Sequence, residues 1–167
     1  MKNKYEVIGD FAKVYVETKY NGTVTTLIDL DDLKKLIDMN VRITAARKNR
    51  LSKEHVFAFR YENKGVLLHR FVMNAPKGTV VDHIFHDSSD NRKSQLRVCT
   101  NAENCQNKSN AYSNTGYRNV HRLESGKFVV TLTVNKKTNH IGVFADIEEA
   151  NRAAIEARKK LMPFSTK

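Results

Sequence analysis

The residues from Val80 to Asn104 read VVDHIFHDSSDNRKSQLRVCTNAEN and constrain the fold of the chain more than any other stretch. A short apolar run ends in Asp82 and His83, and a polar loop rich in Asp, Ser and Asn follows, a composition typical of turns. The chain then becomes apolar again. Thr100 stands three residues before Glu103, which is the capping-box spacing that begins a helix. The pattern predicts a strand, a long loop, a second strand and a helix.

Three side chains of this stretch have the chemistry for phosphodiester hydrolysis. The carboxylate of Asp82 and the amide oxygen of Asn104 are hard ligands that suit Mg²⁺. The imidazole of His83 can take a proton from water near neutral pH. Neighbouring strand residues point to opposite faces, so Asp82 and His83 project together only if the strand ends there. The loop that begins at Ile84 allows this.

The ordered string of residues resembles the ββα-metal motif of the HNH endonucleases, in particular the phage and intron-encoded homing type. The resemblance covers about residues 66–110, including LLHRFVMNAPKG from Leu67 and DNRKSQLRVCTNAEN from Asp90. A lone Asp-His pair would carry little weight, but the whole string in this order is a specific signal.

The resemblance implies a role for each matched residue. Asp82 and Asn104 would bind a divalent metal ion, Mg²⁺ with Mn²⁺ as the alternative, and His83 would be the general base. A central Asn steadies the loop in the family; here that catalytic position falls on Gln95, which keeps the amide but adds a methylene. The loop contact is then either weakened or remade by Asn91. The implied reaction is one-metal hydrolysis of DNA that leaves a 5′-phosphate and a 3′-hydroxyl.

Two further histidines lie close to the motif. His69 is predicted to support the site through a hydrogen bond to a backbone carbonyl, with a direct catalytic role as the alternative. His86 follows His83 by three residues and is either an exposed loop residue, a further metal ligand or a phosphate contact.

The charge of the chain favours a polyanionic partner. Among 167 residues, 29 are Lys or Arg and 18 are Asp or Glu, which gives a formal net charge of +11. Nucleic acid is the commonest polyanion in the cell, although such residues can also serve only to keep a surface soluble. We expect double-stranded DNA as the partner, with Arg92, Lys93 and Arg97 on phosphates beside the cleavage site.

Other classes are disfavoured by the sequence. No stretch approaches the roughly 20 apolar residues that a membrane helix needs, and the first residues lack the apolar core of a signal peptide. A cytoplasmic protein is expected, with no membrane partner and no small-molecule cofactor. Cys99 and Cys105 cannot alone form a four-ligand zinc site, and Cys99 is predicted to be a buried thiol. The oligomeric state stays open.

The N-terminal region is predicted to be rich in strands. Two β-branched runs flank Asn21-Gly22, a hairpin signal, and a short helix ends near Asp38. The predicted strands are Lys13–Glu17, Thr23–Ile28, Val56–Tyr61 and Gly65–Leu68. A basic cluster before the second strand pair either contacts the DNA backbone or is a solvated loop. Its members are Arg42, Arg47, Lys48, Arg50 and Lys53.

Residues 116–161 are predicted to form three antiparallel strands followed by one helix. Lys127–Val134 alternates strictly, with Phe128, Val130, Leu132 and Val134 on one face and Val129, Thr131 and Thr133 on the other. Asp146 begins a helix with Glu149 at the capping-box position. The predicted strands are Tyr117–His121, Lys127–Val134 and Asn139–Phe144, and the helix carries an apolar stripe of Ala150, Ala154, Ala157 and Leu161.

This C-terminal pattern resembles the DNA-binding domain of plant ethylene-response factors, the Apetala type. The matching residues include Gly116-Tyr117-Arg118-Asn119-Val120 and Ile141-Gly142-Val143-Phe144. That family lays its sheet in the major groove, which implies DNA contacts at Arg118, Arg122, Lys127, Thr131 and Thr133. The two threonines stand where the plant domains carry more Arg and Glu, so the base preference does not carry over. A small domain for protein contacts is the alternative.

The sequence therefore predicts an α+β protein in two parts. Residues 1–110 would hold the β-rich N-terminal region and a central ββα-metal HNH nuclease module, and residues 111–167 a three-stranded antiparallel sheet packed on one helix. The function indicated is that of an HNH homing endonuclease. The rival is a repressor-like, sequence-specific DNA-binding protein with a decayed nuclease centre, which Gln95 keeps open.

Overall fold

The computed structural model describes residues 1–19, 22–49, 52, 54–108 and 113–166. The chain divides into two compact units, Met1–Cys99 and Thr100–Lys167, each with its own hydrophobic core. The sequence placed the boundary near residue 110, whereas this division falls directly after the second strand of the motif. The helix that follows that strand therefore belongs to the second unit.

The first unit is mostly strand. Its strands within the described residues are β1 (Tyr5–Ile8), β2 (Phe11–Thr18), β3 (Gly22–Asp29), β4 (Ile43–Arg47), β5 (His55–Tyr61), β6 (Lys64–Leu67), β7 (Val80–His83) and β8 (Leu96–Cys99). Its helices are α1 (Leu30–Asp38) and α2 (Leu68–Val72), and a 3₁₀ turn spans Lys93–Gln95. They form one antiparallel sheet of β1, β2 and β3, a second of β4, β5 and β6, and the pair β7–β8.

The sheet β1–β2–β3 is built on a long hairpin. Strand β2 pairs with β3 from Phe11 opposite Asp29 to Thr18 opposite Gly22. Ala12, Val14 and Val16 alternate into the core, because successive strand residues point to opposite faces. The predicted strands of this hairpin are confirmed, while Asn21 of the predicted turn lies outside the described residues.

Helix α1 follows β3 without a connecting loop and covers the same core. Leu33 and Leu36 are buried, but Leu30 and Ile37 are more than a third exposed, so the buried face of the helix is narrow. Asp29 occupies the N-cap position without a side-chain capping bond. Its carboxylate instead accepts a hydrogen bond from the backbone N–H of Lys93, at 2.8 Å.

The second sheet contains a strand that sequence reasoning treated as a basic loop. Strand β4 pairs with β5 from Ile43 opposite Phe59 to Arg47 opposite His55. The side chain of Asn3 joins this strand to β2, since it donates to the carbonyl of Tyr15 at 3.1 Å and accepts from the N–H of Ile43 at 2.7 Å. The strand was not predicted because Arg42 and Arg47 lie on either side of a short, mostly apolar run, and the segment was interpreted as part of a basic cluster. Arg50 and Lys53 lie outside the described residues.

The second unit is a three-stranded antiparallel sheet packed on one long helix, with a short helix ahead of it. Its elements are α3 (Asn101–Gln106), β9 (Val120–Arg122), β10 (Phe128–Val134), β11 (Lys137–Phe144) and α4 (Ile147–Leu161), and the strand order is β11-β10-β9. Asn135 and Lys136 both have positive φ, the geometry of a tight two-residue hairpin turn. This architecture agrees with the predicted C-terminal sheet and helix, but the first strand begins at Val120 and not at the predicted Tyr117.

Packing in the second unit follows the predicted alternation. Val130 and Leu132 of β10 are fully buried against Ala150 and Ala154 of α4. The carboxylate of Asp146 accepts a hydrogen bond from the N–H of Glu149 at 2.8 Å and begins the helix, as predicted. Leu161 was expected in the buried stripe but is 38% exposed, and Met162 is buried instead.

No helix in the described part of the chain is long and apolar enough to cross a membrane.

Candidate functional site

Asp82 and His83 are the last two residues of β7. The strand pairs antiparallel with β8, which sets Asp82 opposite Arg97 and His83 opposite Leu96. Val81 and Leu96 are buried and anchor the pair in the core. The strand ends at His83, as the sequence predicted, and the loop leaves with a hydrogen bond from the N–H of Ile84 to the carbonyl of Gln95 at 2.9 Å.

The carboxylate of Asp82 faces a guanidinium group. Arg97 donates to Asp82 Oδ2 from Nε at 3.0 Å and from Nη2 at 2.7 Å. The two side chains are only 10% and 20% exposed, so this charge-assisted pair is partly shielded from water. Arg97 was predicted to contact a DNA phosphate, but in this structure it neutralises the predicted metal ligand.

The imidazole of His83 is held by a buried amide. Its Nε2 lies 3.3 Å from Oδ1 of Asn91, whose side chain is 1% exposed. Burial lowers the pKa of His83 below its ordinary value, against the opposing effects of the Asn91 hydrogen bond and the Asp82 charge. A neutral imidazole at neutral pH is the form that can accept a proton.

His69 lies beside this imidazole. The two rings are 5.6 Å apart between centroids and meet edge to face at 66°. Burial, with smaller contributions from the charges of His83 and Arg70, lowers the pKa of His69 to about 4. His69 therefore stays neutral at physiological pH and supports the site by packing against His83.

The loop between β7 and β8 is bound to the edge of β3. The N–H of Leu27 donates to the carbonyl of Ser89 at 2.9 Å, and the N–H of Asn91 donates to the carbonyl of Leu27 at 2.9 Å. The hydroxyl of Thr26 donates to the same Ser89 carbonyl at 2.8 Å. Asn91 in turn donates from Nδ2 to Thr26 Oγ1 at 2.8 Å and to the carbonyl of Ser88 at 3.3 Å.

Gln95 was predicted to take the central position of the motif. Its side-chain amide instead donates to Ser94 Oγ at 3.4 Å, and its backbone carbonyl closes the loop. The contact with His83 comes from Asn91, which is the alternative that the sequence left open. The side chain of Asn91, which is shorter than that of Gln95, is buried against β3 and bonds there to Thr26.

The other two loop cations are paired with carboxylates. Arg92 donates to Asp90 from Nε at 2.9 Å and from Nη2 at 2.6 Å, and its guanidinium carbon lies 4.8 Å from the ring centroid of Phe11. Lys93 donates to both oxygens of Asp31 at 2.8 Å and also to Asp32. Both residues therefore fasten the loop to the first sheet and α1, a role that was not predicted.

The carboxylates around Lys93 form a compact group. Within the described residues, oxygens of Asp29, Asp31 and Asp32 lie within 4.8 Å of one another, a spacing that could hold a metal ion. Two ammonium groups already serve this group, because Lys35 Nζ lies 2.8 Å from Asp32 Oδ1 and Lys93 bonds to Asp31 and Asp32. The group is best described as an ion-pair network that holds the loop.

A scan against protein-family models, a search of the curated proteins and a search of the solved structures found no match to this chain.

Asn104, the remaining predicted metal ligand, lies in the second unit as the fourth residue of α3. The helix begins at Thr100, whose hydroxyl accepts from the N–H of Glu103 at 3.2 Å while Glu103 accepts from the N–H of Thr100 at 2.7 Å. The predicted capping box is confirmed. It gives the position of Asn104 on the helix, and its membership in the metal site stays a prediction.

The predicted DNA contacts of the second unit divide into two groups. Arg118 is turned into the unit, because its Nη2 donates to the carbonyl of Gln106 at 2.8 Å and its Nη1 to Ser165 Oγ at 3.2 Å. Arg122 and Lys127 are exposed beside the hairpin of β9 and β10. Thr131 and Thr133 lie on the sheet face opposite the buried Val130 and Leu132, as the alternation predicts, and Thr133 is exposed.

Sequence reasoning missed Thr26 entirely. It lies 65 residues from Asn91, and an isolated Thr within a strand pattern carries no signal of a polar contact. The ion pairs of Lys93 were missed for the same reason. The carboxylates that Lys93 contacts lie about 60 residues earlier in the chain, near α1, and only the fold brings them to the loop.

Proposed function

We propose that this protein is a metal-dependent endonuclease that hydrolyses phosphodiester bonds in double-stranded DNA. The observation that carries the proposal is the imidazole of His83 at the end of β7, which lies 3.3 Å from the buried amide of Asn91 and directly follows a shielded carboxylate, Asp82, in the chain. A carboxylate beside an oriented neutral imidazole suits hydrolysis, and the net charge of +11 suits a polyanionic substrate.

His83 is the general base of the proposed reaction. Burial keeps its imidazole neutral near neutral pH, so it can take a proton from a water molecule that attacks the scissile phosphorus. Asn91 lies within hydrogen-bond distance of the ring, and the ring of His69 lies edge to face beside it. The bond that breaks joins the phosphorus to the 3′-oxygen, so the products carry a 5′-phosphate and a 3′-hydroxyl.

The donor chemistry of Asp82 fits a divalent cation such as Mg²⁺ or Mn²⁺. Its carboxylate is shielded from water and already faces a positive group, since it accepts two N–H bonds from Arg97. Asp82 would be one ligand of the ion, and the part of Asn104 as a ligand rests on the sequence pattern alone. When bound, the ion would offset negative charge on the leaving 3′-oxygen. Arg97 released from Asp82 would present its N–H donors to a phosphate oxygen.

Cleavage of supercoiled plasmid DNA tests the proposal. We expect nicked or linear product with Mg²⁺ or Mn²⁺ and none with EDTA. His83→Ala should lower the cleavage rate by about 10² to 10⁴, the usual contribution of a general base, while DNA affinity stays close to that of the wild type. His140→Ala, at an exposed histidine of the second unit, is the matched control and should cleave normally. Wild-type cleavage by His83→Ala would remove His83 from the base role.

A second function is favoured by the ion pair between Arg97 and Asp82. A guanidinium that permanently holds the carboxylate would block metal binding and leave a DNA-binding protein without nuclease activity. The same assay separates the two functions. Specific retention of DNA in a gel shift, with no cleavage in any divalent metal, would favour the binding protein.

A further inference from the structure

A chain of buried polar contacts runs from the edge of β3 to the imidazole of His83. The carbonyl of Ser89 accepts from Thr26 Oγ1 at 2.8 Å, and Thr26 Oγ1 accepts from Asn91 Nδ2 at 2.8 Å. Asn91 Oδ1 then lies 3.3 Å from His83 Nε2. Thr26 is 0% and Asn91 1% exposed, so water cannot readily replace these partners.

The direction of each hydrogen bond in this chain is determined by its first member. A backbone carbonyl can only accept, so the single hydroxyl proton of Thr26 is committed to Ser89. The oxygen of Thr26 can then only accept from Asn91, which must turn its NH₂ group toward β3. The carbonyl oxygen of Asn91 consequently faces His83, and Nε2 of a neutral imidazole must carry the proton that it donates.

We infer that Thr26 is a positioning residue that fixes the tautomer of His83. The proton of the neutral ring is held on Nε2, and the lone pair that can accept a proton lies on Nδ1. The effect on tautomer follows from the hydrogen bonds alone, whereas the effect on cleavage rests on the proposed function.

Backbone hydrogen bonds between β3 and the loop hold Thr26 and Asn91 in place. Leu27, next to Thr26, donates to the carbonyl of Ser89 and accepts from the N–H of Asn91, both at 2.9 Å. These backbone bonds hold Ser89 and Asn91 at a fixed spacing from Thr26. Removal of the Thr26 hydroxyl takes away the hydrogen bond that orients the amide of Asn91, and it leaves these backbone bonds in place.

The tautomer of His83 can be read directly by NMR of the full-length protein. Long-range proton–nitrogen spectra with ¹⁵N-labelled histidine distinguish protonated from unprotonated ring nitrogens, and His83→Gln assigns the signal. At about pH 8, where the imidazole is neutral, the wild type should show the proton on Nε2. A wild-type His83 with its proton on Nδ1 would overturn the inference without any variant at Thr26.

Variants at Thr26 test its part in the relay. Thr26→Val keeps the shape of the side chain but removes the hydroxyl, so the amide of Asn91 keeps only its longer bond, at 3.3 Å to the carbonyl of Ser88, and is held less firmly in this orientation. We expect a mixture of His83 tautomers in this variant and a wild-type spectrum in Thr26→Ser, which restores the hydroxyl. Thr23→Val makes the same chemical change at an exposed position of β3 and should leave the tautomer unchanged.

Cleavage rates then show whether the tautomer matters for the reaction. Thr26→Val should cut about 10- to 100-fold more slowly, the usual cost of losing a partner that orients a functional group, and Thr26→Ser should restore the rate. An unchanged tautomer in folded Thr26→Val overturns the inference, and so does an equal change in Thr26→Ser, because packing would then be the cause. A wild type with the expected tautomer that cuts no DNA overturns the proposed function and leaves the assignment of Thr26 standing.

Discussion

The neutral ring of His69 makes the folded state sensitive to acid. The pKa of this histidine is lowered to about 4 by burial, while an unfolded histidine titrates near 6.5. Between these values the unfolded state binds a proton that the folded state does not. The free energy of unfolding therefore decreases as the pH falls from about 6.5 toward 4, and the contribution of His69 is fully favourable only above that range.

His69→Gln removes this titration while keeping a neutral polar side chain. We expect the variant to lose less stability than the wild type between pH 7.5 and pH 5, as measured by urea unfolding at the two values. Some pH dependence should remain, because burial also lowers the pKa of the neighbouring His83. Equal losses in the two proteins would show that the His69 ring is not buried in its neutral form.

At single residues, the sequence predicted where a strand ends better than which side chains are in contact. It placed Asp82 and His83 at the end of a strand because a polar loop follows them directly. It placed the central position on Gln95 and gave Asn91 only as the alternative, because both are amides and the choice depends on which one β3 buries. The role of Thr26 depends on a contact between distant parts of the chain, which no local pattern encodes.

The loop between β7 and β8 is held at a second point by Lys93. Its ammonium group bonds to Asp31 and Asp32 at the start of α1, and its backbone N–H bonds to Asp29. The side chain of Asp32 is completely buried. Removal of the ammonium would leave three carboxylates close together with Lys35 as their remaining cation within the described residues.

Lys93→Met should therefore destabilise the first unit. The expected loss is about 1–3 kcal/mol in the free energy of unfolding, the usual cost when a buried polar group loses a hydrogen-bond partner, and the bond from Lys35 to Asp32 remains. Lys34→Met, at an exposed position on α1, makes the same change without disturbing the group and should cost much less. Urea unfolding of both variants measures the difference. Equal midpoints would mean that Lys93 contributes no more than a surface charge.

At the level of helices and strands, prediction succeeded where pattern and capping agreed. The hairpin of β2 and β3, the capping box at Thr100 and the alternation of β10 are observed. It failed at β4, where arginines at both ends concealed a short strand, and at β1, whose side chains are all exposed and therefore lack a clear alternation. Burial creates the periodic signal, so strands with little burial are read poorly.

For the whole molecule, the positive charge of the second unit bears on the proposed substrate. Arg118 was expected to contact DNA, but its guanidinium bonds to Gln106 and Ser165 within the unit. Its carbonyl also accepts from Arg158, which is buried. Arg118→Ala should therefore lower the stability of the second unit.

Arg122 and Lys127 are exposed, and their contact with phosphate stays a prediction.

The double variant Arg122→Gln/Lys127→Gln should bind DNA more weakly and with a smaller dependence on salt. Each lost phosphate contact reduces the slope of log K against log salt by about 0.9, so the two together should reduce it by up to about 1.8. Arg60→Gln, at an exposed position in the first unit, is the control for a general loss of charge. Gel shifts at several salt concentrations, with circular dichroism to confirm folding, measure these slopes. Gel shifts in which the double variant keeps the wild-type slope would show that other residues contact the phosphates.

The basic residues around β4 that the structure describes would then be the next positions to substitute. They are Arg42, Arg47 and Lys48.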